Sequence, residues 1–160
     1  METLTEFAAA IDASGFVKAM KFSPIYYTIA NTVHVFGVAL LVGAIVPMDL
    51  RLLGLWRDVE IRALARILVP VAVAGLLIAM LAGMTLFSVR AGHYINVNLF
   101  FLKLTLIATG TTLALFFHAR AGLWLDRATR AQCVFHGLAS LLCWLGALAA
   151  GRMIAYFPNL

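Results

Sequence analysis

The chain has 160 residues, of which 64% are hydrophobic and only 12% are charged. Soluble domains average about 45–50% apolar residues, so this composition excludes an ordinary water-soluble domain and predicts a polytopic helical membrane protein. The formal net charge of +5 does not indicate nucleic-acid binding, because the basic residues stand in short segments between long apolar runs and there determine membrane topology.

The first 22 residues are predicted to form a short amphipathic helix on the membrane surface. Apolar residues recur through it at helical spacing: Leu4, Phe7, Ala8, Ile11, Phe16 and Met20. A helix of this kind lies in the interface with its apolar side toward the acyl chains. No basic stretch precedes an apolar core here, so a cleavable signal peptide is not expected.

Four apolar runs follow, and each is long enough to cross the bilayer as a helix. They cover about residues 24–50, 67–89, 95–118 and 131–154. At a rise of about 1.5 Å per residue, roughly 20 residues cross the ~30 Å hydrocarbon layer. Because the connections are short, consecutive helices are expected to be antiparallel neighbours. The sequence therefore predicts one all-α domain, an up-down-up-down four-helix bundle in the membrane.

The distribution of basic residues predicts the orientation. The connections after the first and third spans contain seven arginines: Arg51, Arg57, Arg62, Arg66, Arg120, Arg127 and Arg130. The opposite side has four basic residues: Lys18, Lys21, Arg90 and Arg152. Loops rich in Lys and Arg stay in the cytoplasm. Both termini are therefore predicted on the periplasmic side of a bacterial inner membrane.

Small residues recur at four-residue spacing in two of the spans. Gly75, Ala79 and Gly83 form such a series in the second span, and Ala147 and Gly151 form one in the fourth. In lipid, small residues allow helix backbones to approach and pack closely. We therefore expect these positions to face neighbouring helices.

His34 is the strongest candidate for a functional residue. It is the only residue between 24 and 48 with a group that titrates near neutral pH, and it lies ~15 Å into the span. An imidazole there loses its water hydrogen bonds unless something replaces them, so it marks a functional site by default. Asn31 on the same face could orient the ring, and Ala30 and Gly37 leave room for a flat macrocycle or another helix.

Two further histidines stand near the ends of the third and fourth spans. His118 and His136 are each nine residues from Arg127, so their imidazoles are predicted at similar depth. This arrangement suits bis-histidine haem ligation or a shared metal, although either residue could instead be interfacial. His93 lies in a loop and is expected to be solvated.

Cations near the periplasmic surface could serve an anionic cofactor. Lys103 stands some eight residues into the third span, where its side chain either snorkels toward water or meets an anion such as a haem propionate. Arg90 and Arg152 are predicted at the same level and could join it.

A copper(I) site is the alternative, since soft ligands favour that ion. His34 could combine with Met80 and Met84 of the second span and Cys143 of the fourth. The plainer interpretation of the same residues is apolar packing. A third possibility is a cofactor-free structural subunit of a membrane complex.

Asp49 and Arg51, at the cytoplasmic end of the first span, are predicted to pair with each other or with neighbouring helix ends in a structural role. No Ser/His/Asp order, no pair of carboxylates within the bilayer and no phosphate-binding glycine loop is present in the sequence. The chain is therefore not expected to be an enzyme by itself, although it could be an electron-transfer subunit of one.

Residues 24–157 resemble a group of small bacterial four-span membrane proteins of unknown function. The most specific motifs are DLRLLGL at 49–55 and GRMIAYF at 151–157. That group is distantly similar to the four-helix membrane units of copper-resistance D-type proteins and b-type cytochromes. Asn31 stands where the group often has an acidic residue, and Met153 where it often has tryptophan. The group itself implies no activity.

These features together predict a small integral-membrane haem b protein for electron transfer. The ligand candidates are His34, His118 and His136, in that order, with Lys103 and the two arginines neutralising the propionates. Expected partners are the lipid bilayer and other membrane or periplasmic redox proteins, or further copies of the chain. Nucleic acid is not expected.

Overall fold

The computed structural model describes residues 14, 15, 17, 18 and 23–156. Apart from those first four positions, the predicted surface helix at 1–22 lies outside the described residues. From residue 23 onward the chain forms five helices: α1 Pro24–Leu53, α2 Ile61–Val89, α3 Ala91–Tyr94, α4 Asn98–Ala121 and α5 Arg130–Tyr156. All except the one-turn α3 are long and apolar enough to cross a membrane. The predicted all-α four-helix membrane bundle is therefore confirmed.

The bounds of the helices differ from the predicted spans mainly at α2. The helix begins at Ile61, six residues before the predicted span, because its first turns contain Arg62 and Arg66. Hydropathy locates only the apolar part of a helix, whereas the hydrogen-bonded helix continues into the polar region. For orientation, the end of the bundle with the α1–α2 and α4–α5 loops is called the arginine-rich end, and the opposite end is called the α3 end.

The C-terminus of α1 is held by contacts from its own chain and from α5. Gly54 adopts the left-handed conformation (φ 112°) and its N–H donates to the carbonyl of Leu50, which is typical of a glycine cap. The Arg130 guanidinium donates to the carbonyls of Leu52 and Leu53, both at 2.7 Å. The start of α5 is therefore fixed beside the end of α1.

Helices α1 and α2 pack backbone to backbone. A Cβ on Gly75 would lie 2.5 Å from the backbone nitrogen of Leu41, and a Cβ on Gly37 would lie 2.5 Å from that of Ala79. No larger side chain fits at either position without separating the helices. The prediction that small residues of the second span face a neighbouring helix is confirmed, and the neighbour is α1.

Helix α5 is the central helix of the bundle. Its buried residues recur at intervals of seven along the helix: Cys133, Ser140, Ala147 and Ile154 form one series, His136, Cys143 and Ala150 a second, and Gly137 and Trp144 a third. This spacing is typical of a helix that packs along a nearly parallel axis. One side of α5 packs against α4 and the other against α1. The predicted burial of Ala147 is confirmed.

Helices α2 and α4 are more widely spaced than the other neighbours. Side chains join them at both ends. At the arginine-rich end, Ala65 and Phe117 belong to one apolar cluster, and at the α3 end the Phe87 and Phe100 rings stack at 5.3 Å. Between these contacts the two backbones do not approach closely. The expectation that all consecutive helices pack directly holds for α1–α2 and α4–α5 but is wrong for the middle of α2 and α4.

We expect Gly75→Ala to destabilise the protein by about 1–3 kcal/mol, because its methyl group overpacks the α1–α2 contact. The free energy of unfolding, measured by denaturant titration in mixed micelles, tests this. Gly43→Ala is the matched control, since nothing lies within 4 Å of a Cβ at that position. Equal stabilities of the two variants would contradict the prediction.

Candidate functional site

The histidines lie at two separate levels of the bundle. The contact of Arg130 with the end of α1 aligns α1 and α5 along the axis. Measured from there at 1.5 Å per residue, His34 lies ~28 Å into α1 and His136 ~9 Å into α5. The two imidazoles are therefore about 20 Å apart in depth, and one metal ion cannot bind both.

The imidazole of His34 is oriented by the backbone of α2. Its Nδ1 lies 2.8 Å from the carbonyl oxygen of Ala79. A carbonyl only accepts, so Nδ1 carries the hydrogen and donates it, which leaves Nε2 of the neutral ring with a free lone pair. The predicted need for a partner at one ring nitrogen is met by this bond.

Gly83 is the reason that the Ala79 carbonyl is accessible. In a helix, the residue four positions after a carbonyl stands beside it, and at this position Gly83 has no side chain. A Cβ on Gly83 would lie only 3.1 Å from Cε1 of His34. The glycine therefore forms the notch in α2 that the imidazole of α1 occupies.

Lys103 of α4 is the charged residue of this candidate site. Its side chain is half-buried on α4, and its ammonium lies within electrostatic range of the His34 ring. Nζ and Cε would be 3.6 Å from a Cβ on Gly151, so the small residue on α5 provides the space. Among residues 23–156, no carboxylate lies within ion-pair distance of Lys103.

The other residues predicted around this site lie farther out. Asn31 is exposed and makes no hydrogen bond to the His34 ring, so its predicted orienting role is wrong and belongs to the Ala79 carbonyl. Arg90 is exposed at the end of α2. Arg152 is exposed and donates to the Tyr156 hydroxyl at 3.1 Å. Both arginines are at the α3 end, as predicted.

His118 and His136 lie together near the arginine-rich end. The two side chains are within electrostatic range of each other, and Nδ1 of His118 donates to the carbonyl of Leu123 at 3.1 Å. His136 is buried, and its ring stacks on Phe117 at 4.2 Å. Since Phe117 is also part of the apolar cluster, a macrocycle between these histidines would have to displace it. This pair fits haem less well than His34 does.

The residues of the alternative copper site are dispersed. Met80 and Met84 are 49% and 58% exposed, on the part of α2 that faces away from its helix neighbours. Cys143 is buried and packs against Gly110 of α4, whereas His34 faces α2. In the described part of the chain, no three His, Cys, Asp or Glu side chains come together as metal ligands do.

Asp49 is a buried polar residue near the arginine-rich end of α1. The residue is 2% exposed, and its carboxyl group lies near the Ser140 hydroxyl of α5. Arg51 instead donates through Nε to the carbonyl of Val59 at 2.6 Å and holds the α1–α2 loop. Of the two predicted arrangements, the Asp49–Arg51 pair is wrong, because residues two apart on a helix point to different sides. That rule applied to the sequence would have excluded the pair. Asp49 instead faces the neighbouring helix α5.

We expect His34→Ala to lower the free energy of unfolding by about 1–3 kcal/mol, because it empties the notch beside Gly83 and removes a hydrogen bond. His93→Ala is the control, since His93 is exposed on the one-turn helix α3. We also expect a larger loss than in His118→Ala, whose ring is nearer the end of its helix. Thermal unfolding of the three variants in one detergent gives the ranking, and an equal loss in His93→Ala would contradict it.

Comparison with protein-family models, with curated proteins and with solved structures gave no match. The resemblance to the four-span bacterial group therefore stays a prediction. What the chain does has to be inferred from its own geometry: a histidine fixed in the middle of the bundle, a half-buried lysine near it, and a second polar level at the arginine-rich end.

Proposed function

We propose that this multi-pass membrane protein binds haem b with His34 as axial ligand and passes electrons. The observation that carries the proposal is the hydrogen bond from Nδ1 of His34 to the Ala79 carbonyl at 2.8 Å. Histidines that bind metal almost always donate their other ring N–H to a carbonyl, a carboxylate or water, which fixes the tautomer and the ring direction. The His34 imidazole has this arrangement, with Nδ1 bonded to a backbone carbonyl.

The surroundings of His34 also suit an amphipathic macrocycle. In the middle of the bundle the backbones of α2 and α4 do not approach closely, and we propose that the macrocycle enters between these two helices. The Lys103 ammonium has no carboxylate partner among residues 23–156, so an anionic propionate would supply its counter-charge. Arg90 and Arg152 at the α3 end offer two further cations in water. Haem, when bound, supplies one-electron transfer, and the protein supplies the ligand and the charges.

The topology favours electron transfer with other proteins over catalysis. The loops between the long helices are short and provide no soluble catalytic domain. With both termini on the periplasmic side of a bacterial inner membrane, as the arginine distribution favours, His34 and Lys103 lie in the periplasmic half. Partners of the proposed site are therefore membrane or periplasmic redox proteins, or further copies of this chain.

A reduced-minus-oxidised absorption spectrum tests the proposal. We expect the full-length protein, expressed with excess haem precursor and purified in mild detergent, to show Soret and α bands at about one haem per chain. His34→Ala is expected to lose most of this absorbance, since the ligand nitrogen is removed. His93→Ala is the matched control and is expected to retain it.

A second comparison separates haem from the alternatives. Elemental analysis of the same samples reports copper and iron together. Stoichiometric copper lost in His34→Ala would replace the haem proposal with copper handling. A folded, colourless and metal-free protein after haem-replete expression would overturn both and leave a structural subunit.

A further inference from the structure

The carboxyl group of Asp49 is enclosed in the bundle without full hydrogen bonding. The side chain is 2% exposed, and its Oδ2 atom is buried with no hydrogen-bond partner among the described residues. Asp49 stands on α1 beside Met48, which belongs to the apolar cluster of the arginine-rich end. Most buried polar groups in proteins have a partner, so this free oxygen needs an explanation.

Helix α5 packs closely against α1 at Asp49 and brings a polar side chain near its carboxyl group. A Cβ on Gly137 would lie 3.0 Å from the backbone oxygen of Asp49, which shows how closely α5 approaches α1. Ser140, one turn farther along α5 and 3% exposed, brings its hydroxyl group near the Asp49 side chain. The two polar groups therefore form a small enclosed site between the two helices.

The arginines near this site have other partners. Arg51 donates to the carbonyls of Val59 and Arg57, and Arg130 donates to those at the end of α1. Arg62 pairs with Asp126 at 3.0 Å. Within residues 23–156, no cation lies within ion-pair distance of Asp49. An ionised carboxylate enclosed in apolar surroundings without a cation is strongly disfavoured.

We propose that Asp49 and Ser140 form an intramembrane proton-binding site. The Asp49 carboxyl group holds an exchangeable proton, and the Ser140 hydroxyl is its hydrogen-bond partner. Ionisable groups within membrane bundles mark proton relays when no structural pair accounts for them. A metal cation is a poorer occupant, because a hard cation takes about six oxygen ligands and the site offers the oxygens of two side chains. The inference is independent of the haem proposal.

The site also has a short route to water. Asp49 lies four residues before the end of α1, which is ~6 Å from the arginine-rich end. The buried titratable groups on the facing side of α5 are His136 and Cys133, and both belong to the same end of the bundle. We therefore expect a proton on Asp49 to exchange with the water at the arginine-rich end.

Infrared spectroscopy of the full-length protein in lipid nanodiscs tests the site. We expect a C=O stretching band of a protonated carboxylic acid at neutral pH, shifted to lower frequency by [4-¹³C]aspartate labelling. The band should be absent in Asp49→Asn and retained in Asp58→Asn, the control at an exposed aspartate. Transfer to D₂O should shift the band within minutes, because an exchangeable proton becomes a deuteron.

Ser140→Ala provides a second measurement that does not need Asp49→Asn to fold. We expect the acid band to persist and to move to higher frequency, since the carboxyl group loses a hydrogen bond. Three results would overturn the proposal. First, if the ¹³C label shifts only carboxylate bands, then Asp49 is ionised. Second, the acid band could stay unshifted in D₂O for hours, which means a closed structural acid. Third, the band could disappear on adding NaCl but not choline chloride, which means a sodium site.

Discussion

The close contact of α1 with α2 is the feature on which the rest of the bundle depends. Lipid tails are as apolar as the side chains, so moving a side chain from lipid into a helix contact changes its free energy little. Helices in lipid therefore associate through close packing and hydrogen bonds. Gly37 and Gly75 let the two backbones approach until a single added methyl group would clash. Only at this distance can His34 enter the notch at Gly83 and reach the Ala79 carbonyl. The geometry of the candidate site is therefore a consequence of glycine placement.

Length and hydropathy were sufficient to predict the four spanning helices. A long apolar segment in lipid can satisfy its backbone hydrogen bonds by itself only as a helix. The partner of His34 was not predictable in the same way. Every residue has a backbone carbonyl, so the residue type of Ala79 does not identify it as a hydrogen-bond acceptor. Asn31 was predicted as the partner of His34 because its side chain is polar. The wide distance between α2 and α4 was also not predictable, since lipid-facing and helix-facing apolar residues look alike in the sequence.

Asp49 shows a different kind of failure, one that sequence reasoning could have avoided. An acidic and a basic residue close together at a span end suggest an ion pair, but helical geometry directs Asp49 into the bundle and Arg51 toward the α1–α2 loop. In the structure, Leu41, Ala44 and Met48 lie on the buried face of α1, and Asp49 is buried beside them. The spacing of two excludes the ion pair, but the burial of Asp49 was not predictable, because helix-facing and lipid-facing apolar residues of α1 look alike in the sequence.

The two polar levels are joined by one helix. Helix α1 carries His34 near its middle and Asp49 near its end, about 22 Å apart along the axis at 1.5 Å per residue. No single ligand can contact both, so any coupling between them has to pass through α1 or its packing. Pro47 lies between them, and a proline inside a helix removes one backbone hydrogen bond and makes bending there easier. The proline therefore allows α1 to bend between the two levels, while Arg130 holds the Asp49 end against α5.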